Sequence, residues 1–236
     1  MLSVNSRLNN KRDGIGVLIY RNGSRYDGYF VDDQPEGRGR TIYITGDIHE
    51  GLYHQGKPHG KGIMEKTDHS KYEGEFKEGK QDGEGIETCS DGSCYEGKYA
   101  NDMKEGFGKL KWSNGSEYIG EFRDNSINGM GVYRWPDGKT YNGEWLDYKM
   151  HGKGIFTWPD GRKYTGEYIH DYKQGKGVME WYVMCLMSCR PDGRRYEGEW
   201  KEGKQSGTGT YKTKTQGVIY AQWEDGKIVP GTAKME

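Results

Sequence analysis

No apolar run in this 236-residue chain approaches the roughly 18 residues that a membrane-crossing helix requires. The opening MLSVNSRLNNKRDG likewise lacks the apolar centre of a signal peptide, so a cytoplasmic protein is expected. Hydrophobic residues make up only 32% of the chain, too few for a thick two-layer core. Cysteine is sparse: Cys89, Cys94, Cys185 and Cys189 form no CxxC pair and have no histidine at zinc-finger spacing. No metal or cofactor is expected. Cys89 and Cys94 flank the turn at residues 90–93 and are placed to face each other, as thiols in a reducing compartment. An excess of either charge is also missing, with 35 basic and 36 acidic side chains mixed along the chain. That balance argues against nucleic acid as a partner, because phosphate neutralisation needs a basic surface.

What the chain has instead is 39 glycines, 19 tyrosines and 7 tryptophans. So many glycines would weaken helices, so they must serve turns, bulges or close approaches. The phrase aromatic-x-Gly-x-aromatic starts at Tyr26, Tyr72, Tyr95, Tyr118, Tyr141 and Tyr164, with a weaker copy at His49. These starts are 23 residues apart, and one more follows at Tyr196, 32 residues on. Gly-x-Gly falls eleven residues after each start, as in Gly106/Gly108 and Gly152/Gly154. Asp-Gly or Asn-Gly turns, as in WPDG at Trp135–Gly138 and Trp158–Gly161, close most units and signal hairpins. At Ile219 the pattern decays: Ala221 stands where glycine is expected and only Trp223 survives.

Along a strand, Tyr141, Gly143 and Trp145 share one face. The glycine is expected to leave a gap into which a ring of the neighbouring repeat fits. Single hairpins are marginal, so stability must come from stacking.

YEGEW, GxG and WPDG at a 23-residue period resemble the MORN repeat (membrane occupation and recognition nexus). The resemblance implies an all-β fold: an elongated, twisted, single-layer antiparallel sheet of stacked hairpins with an aromatic-lined groove. Residues 1–13 would be an N-terminal cap or tail, 14–223 an array of about nine units, and 224–236 a C-terminal tail. Nine extra residues, 182–190 (YVMCLMSCR), interrupt the period. Tyr182, Val183, Met184, Cys185, Leu186, Met187 and Cys189 are therefore a candidate contact insertion.

No GxxxxGK[ST], GxSxG or HExxH motif occurs, and the recurring glutamates Glu75, Glu121, Glu144, Glu167 and Glu199 follow the repeat instead of forming one site. His49, His54, His59 and His69 cluster in sequence without companion ligands, as decayed repeat positions would. No enzyme is expected. The expectation is a scaffold that holds a protein partner, as a helix or extended peptide, on the groove aromatics Tyr95, Tyr118, Tyr141, Tyr164, Trp135, Trp145 and Trp158. The resemblance extends this to ciliary, axonemal (radial spoke) or cytoskeletal assemblies. The alternatives are a phosphoinositide- or membrane-associated adaptor, disfavoured by the net charge of -1, and a homo-oligomer joined through unpaired sheet ends.

Overall fold

The computed structural model describes residues 3–4, 7–8, 11–185, 188–213 and 217–235, with side chains at 11–181, 193–213 and 217–235. The described residues form strands and turns without helix. They divide into two compact units: Met1–Ser113 with Phe122–Asn125, and Asn114–Glu121 with Ser126–Glu236.

In the N-terminal unit the strands pair antiparallel in chain order, from Gly14–Ile19 and Arg25–Val31 through Cys94–Ala100 and Met103–Lys111. The C-terminal unit repeats the arrangement from Ser126–Arg134 to Gly217–Glu224. Each unit is an open single-layer sheet of hairpins.

Two turn types alternate. The Asp-Gly type closes by a bond from Gly138 N to Trp135 O, with Gly138 at φ +85°. The second type, not read in the sequence, places two successive residues at positive φ, as at Asn101 and Asp102 (51° and 71°). This is the two-residue hairpin turn whose twist matches that of its strands. It also fastens repeats together. Asp102 N donates to Gln81 O, Asn125 N to Lys104 O and Asp171 N to Met150 O, while the side chains of the same residues accept from Gln81 N, Lys104 N and Met150 N.

The two glycines of each Gly-x-Gly have separate tasks. The first, such as Gly106 (φ +69°) or Gly152 (φ +55°), sits in a bulge that shifts the register. Bulges leave backbone groups unpaired, and Glu144 Oε1 accepts from Lys153 N at 2.9 Å beside Gly152. This gives at least one of the periodic glutamates a structural role.

The second glycine lies directly across from the glycine of the aromatic phrase: Gly97 opposite Gly108, Gly143 opposite Gly154, Gly166 opposite Gly177. The tyrosine of the same repeat lies flat over that pair. A Cβ on Gly108 would stand 2.5 Å from Tyr95 Oη and 2.7 Å from its Cε2. The expectation that a neighbour's ring fills the gap is thus corrected: the repeat's own tyrosine covers it, because only there does the hydroxyl reach the carbonyl three residues on. Tyr95 donates to Lys98 O at 3.0 Å and Tyr196 to Glu199 O at 3.0 Å.

Neighbouring rings then meet edge to face. In the N-terminal unit the contacts Tyr26–Tyr53, His49–Phe76, Tyr72–Tyr99 and Tyr95–Phe122 have centroids 4.8–5.1 Å apart. In the C-terminal unit Tyr118–Trp145, Tyr141–Tyr168, Tyr164–Trp200 and Tyr196–Trp223 lie at 5.0–5.6 Å. Each such contact adds about 0.5–1.5 kcal/mol beyond the burial of its area. These rings are the core. Ala221 obeys the same logic, since it pairs with Gly209 where Ile219 replaces the tyrosine and no ring needs the space.

Candidate functional site

The ladder takes up most of the residues that the sequence marked as partner-binding. Tyr118, Tyr141 and Tyr164 are fully buried, Tyr95 is 1% exposed and Trp145 is 6% exposed. Burial pushes the hydroxyl pKa of Tyr95, Tyr118, Tyr141 and Tyr164 well above the ordinary tyrosine value. Trp145 donates its indole N–H to Gly131 O at 3.2 Å. These five rings belong to the packed face of the sheet. Trp135 and Trp158 are half-buried and flank Phe156, with centroids 5.3 and 4.5 Å away.

Of the four histidines only His54 and His59 meet, with ring centroids 5.5 Å apart beside Glu36. His49 is completely buried in the tyrosine slot of its repeat, where its Nδ1 lies 2.8 Å from Tyr53 Oη, which in turn meets Thr41 Oγ1 at 2.6 Å. Burial drives its pKa down to about 4. His54 instead pairs with Glu36 at 3.0 Å on the surface, and His69 stands in a turn at φ +67°. Among the described residues no group of three or more His, Cys, Asp or Glu is placed to hold a metal ion.

Cys89 and Cys94 are free, and Cys94 faces Thr88, because Cys89 belongs to the turn. At the insertion the hairpin lengthens: Tyr182 pairs with Pro191, Met184 with Cys189 and Cys185 with Ser188. The side chains of Tyr182, Val183, Met184, Cys185, Leu186, Met187 and Cys189 lie outside the described residues.

The opposite face of the N-terminal unit carries a groove of about 1000 Å³. Its floor is the bare side of the glycine pairs, Gly28/Gly39, Gly51/Gly62 and Gly74/Gly85, whose other side the rings cover. Because glycine has no side chain, a bound chain can approach the backbone there. One wall is a cross-strand row, Arg40–Glu50–Ile63–Glu73–Ile86–Glu96, in which each residue is the direct partner of the next. A second row carries Arg38 opposite Leu52 and Lys61 opposite Glu75, and Glu84 lines the groove beyond them. Ile86 and Leu52 are 45% and 39% exposed. Six carboxylates line the groove (Asp27, Glu50, Glu73, Glu75, Glu84, Glu96) against three cations (Arg38, Arg40, Lys61), a local excess of three negative charges.

In the C-terminal unit the same row runs Val132–Asn142–Ile155–Thr165–Val178 without a charge before it reaches Glu197. Sequence reading missed the groove because its walls are the unrepeated x positions of each phrase. The alternation Glu73, Ile86, Glu96 was nevertheless available from the 23-residue alignment.

An open sheet of hairpins with a ring ladder on one face and a glycine floor on the other defines a solenoid-type repeat protein. The MORN repeat model matches residues 8–25, 26–48, 49–71, 72–94, 95–117, 118–140, 141–161, 164–182 and 196–218, and the chain belongs to the MORN-repeat family. No curated protein matches it. Among solved structures it is similar to the TCP10 domain of Danio rerio CPAP, in complex with a peptide of Danio rerio STIL. The TM-score is 0.55 and the identity 13%, with 95% of this chain and 96% of that one covered. A second match is the SAS-4 (dCPAP) TCP domain of Drosophila melanogaster in complex with a proline-rich motif of Ana2, with TM-score 0.43, identity 16% and coverage of 71% and 89%. The Danio rerio likeness shows a shared fold. No helix among the described residues is long and apolar enough to cross a membrane.

Proposed function

We propose that this chain is a non-enzymatic protein-binding scaffold, and that the groove of its N-terminal unit holds an extended partner segment in which basic side chains alternate with apolar ones. The observation that carries the reading is the row Glu50–Ile63–Glu73–Ile86–Glu96 beside a glycine floor. Acidic and apolar positions alternate there at the spacing of neighbouring strands, and the inner strands already have their backbone groups paired. A partner is therefore recognised by side chains and charge, not by adding a strand. The likeness in fold to a Danio rerio domain in complex with a peptide supports a peptide ligand.

The test is fluorescence polarisation with labelled peptides in which Lys and Leu alternate at every second residue with serine between them, so that both face the groove, and with Glu in place of Lys as control. The basic peptide binds the full chain, and the triple variant Glu73→Gln, Glu84→Gln, Glu96→Gln weakens it at least tenfold and flattens its salt dependence. Equal affinity for both peptides, or an unchanged triple variant, would sink the proposal.

The MORN-repeat resemblance extends the proposal to a cytoskeletal assembly of the ciliary or axonemal kind. Fluorescent tagging in ciliated cells tests this placement: a diffuse signal that washes out on detergent extraction contradicts it. Flotation with anionic vesicles and light scattering separate the lipid-adaptor and self-assembly alternatives.

A further inference from the structure

Charge is spread unevenly along the groove of the N-terminal unit. On the strands Arg25–Val31, Gln34–Ile42, Ile48–His54 and Lys57–Glu65 its lining carries three cations (Arg38, Arg40, Lys61) and two carboxylates (Asp27, Glu50), a net of +1. On Lys71–Lys77, Lys80–Thr88 and Cys94–Ala100 it carries Glu73, Glu75, Glu84 and Glu96, a net of −4. Asp27 is already held by Arg25 at 2.6 and 2.8 Å, and Arg40 comes no nearer than 4.0 Å to Glu50. Arg38 is exposed, and its side chain has no ion pair or hydrogen bond among the described residues.

The surroundings of Arg38 are apolar. Leu52 is its direct partner on the next strand. On the preceding strand Tyr29 faces the bulge that holds Gly37, where a Cβ would lie 4.0 Å from that of Tyr29. Ile15 is in turn the direct partner of Tyr29, and Ile15, Tyr29 and Leu52 are all exposed.

We infer that the groove fixes the direction of its occupant, a segment with an acidic side chain beside a bulky apolar one at the Arg38 end and basic side chains over Glu73, Glu75, Glu84 and Glu96. This rests on the reading that the groove holds an extended basic and apolar segment. A guanidinium fork takes a carboxylate through two parallel hydrogen bonds, and Arg38 has both to give. Tyr29 and Leu52 shield that pair from water and offer the apolar neighbour a surface to pack on. Laid the other way, the segment sets its basic side chains against Arg38 and Arg40 and its carboxylate against Glu84 and Glu96, and like charges repel. Five strand spacings of about 4.8 Å separate the strand of Arg38 from that of Glu96, about 24 Å, which about eight extended residues span. Arg38 is therefore a specificity-determining residue, and the groove reads the order of charges along its partner.

The test is fluorescence polarisation of the full chain with capped nine-residue peptides. Glu, Leu, Lys, Leu and Lys stand at every second position with serine between them, and a second peptide has Gln in place of Glu. Capping removes the terminal charges, so the two differ only in the side-chain carboxylate. The Glu peptide is expected to bind about fivefold tighter than the Gln peptide. Arg38→Gln, at an exposed position, should abolish that difference and leave the Gln peptide within about twofold of its affinity for the unaltered chain. A benzophenone placed beside the Glu should cross-link to residues 25–42 or 48–54, whether the Glu stands first or last in the peptide. Equal binding of the two peptides, a difference that survives Arg38→Gln, or cross-links on residues 94–100 would overturn the inference, and the groove reading would still stand on the binding of the Gln peptide. If neither peptide binds, both fall.

Discussion

Replacing Gly108 by alanine tests the packing rule directly. The backbone of Gly108 is not in the left-handed region, so alanine is acceptable there apart from what covers it. What covers it is Tyr95, whose Oη and Cε2 would stand 2.5 and 2.7 Å from the new Cβ. The ring must lift. Overpacking of this kind costs about 1–3 kcal/mol. A lifted ring also weakens the bond from Tyr95 Oη to Lys98 O, worth about 1 kcal/mol. It further weakens the edge contacts to Tyr99 and Phe122, at about 0.5–1.5 kcal/mol each. Alanine recovers about 0.4–1 kcal/mol by restricting the unfolded chain. The net loss is about 2–6 kcal/mol, according to how fully the bond and the two contacts are given up, read as a lower urea midpoint and as faster amide exchange across residues 95–111. The decisive comparison is the same change in a Tyr95→Ala background, where no ring lies above the site and Gly108→Ala becomes neutral or slightly stabilising. If the alanine costs as much without the ring as with it, the rule that tyrosine dictates the glycine pair is wrong.

Two further predictions follow from groups buried in the ladder. His49, held at about 4 against an ordinary 6.5, keeps its full contribution above pH 6.5 and loses it as pH falls towards 4. Urea titrations of the full chain should show about 3 kcal/mol of acid destabilisation in that window, and His49→Phe should abolish it. The ladder tyrosines shift the other way, so their contribution is complete below pH 10 and is lost as pH rises further. Phenolate absorbance at these rings should therefore appear together with unfolding, followed by circular dichroism in the same titration.

The fold was legible because one period recurs with few errors, and the turn residues Asp-Gly and Asn-Gly fix the hairpins. The second turn was not. Its positions hold Asp-Asp, Gln-Gly, Asn-Asp, Asp-Tyr and His-Asp, which share backbone conformation but no single signature. The aromatic phrase is legible as one face, but the packing of its rings is not. Alternation alone does not show that a tyrosine bends over its own glycine to reach the carbonyl three residues on. The groove escaped for the complementary reason. Letters that repeat, such as Tyr95, Gly97 and Gly108, build the core common to every unit. Residues that differ between repeats, such as Glu73, Ile86 and Val132, give each unit its own surface.

The most direct measurement of the central claim is a displayed 12-residue peptide library selected on the full chain and rescreened on two variants. One is the groove triple Glu73→Gln, Glu84→Gln, Glu96→Gln, and the other is Trp135→Ala with Trp158→Ala on the aromatic side. Selected peptides are expected to alternate basic and apolar residues at every second position, to lose affinity for the groove variant and to keep it for the tryptophan variant. Peptides of no consistent charge, or affinity lost only when the tryptophans are removed, would contradict it.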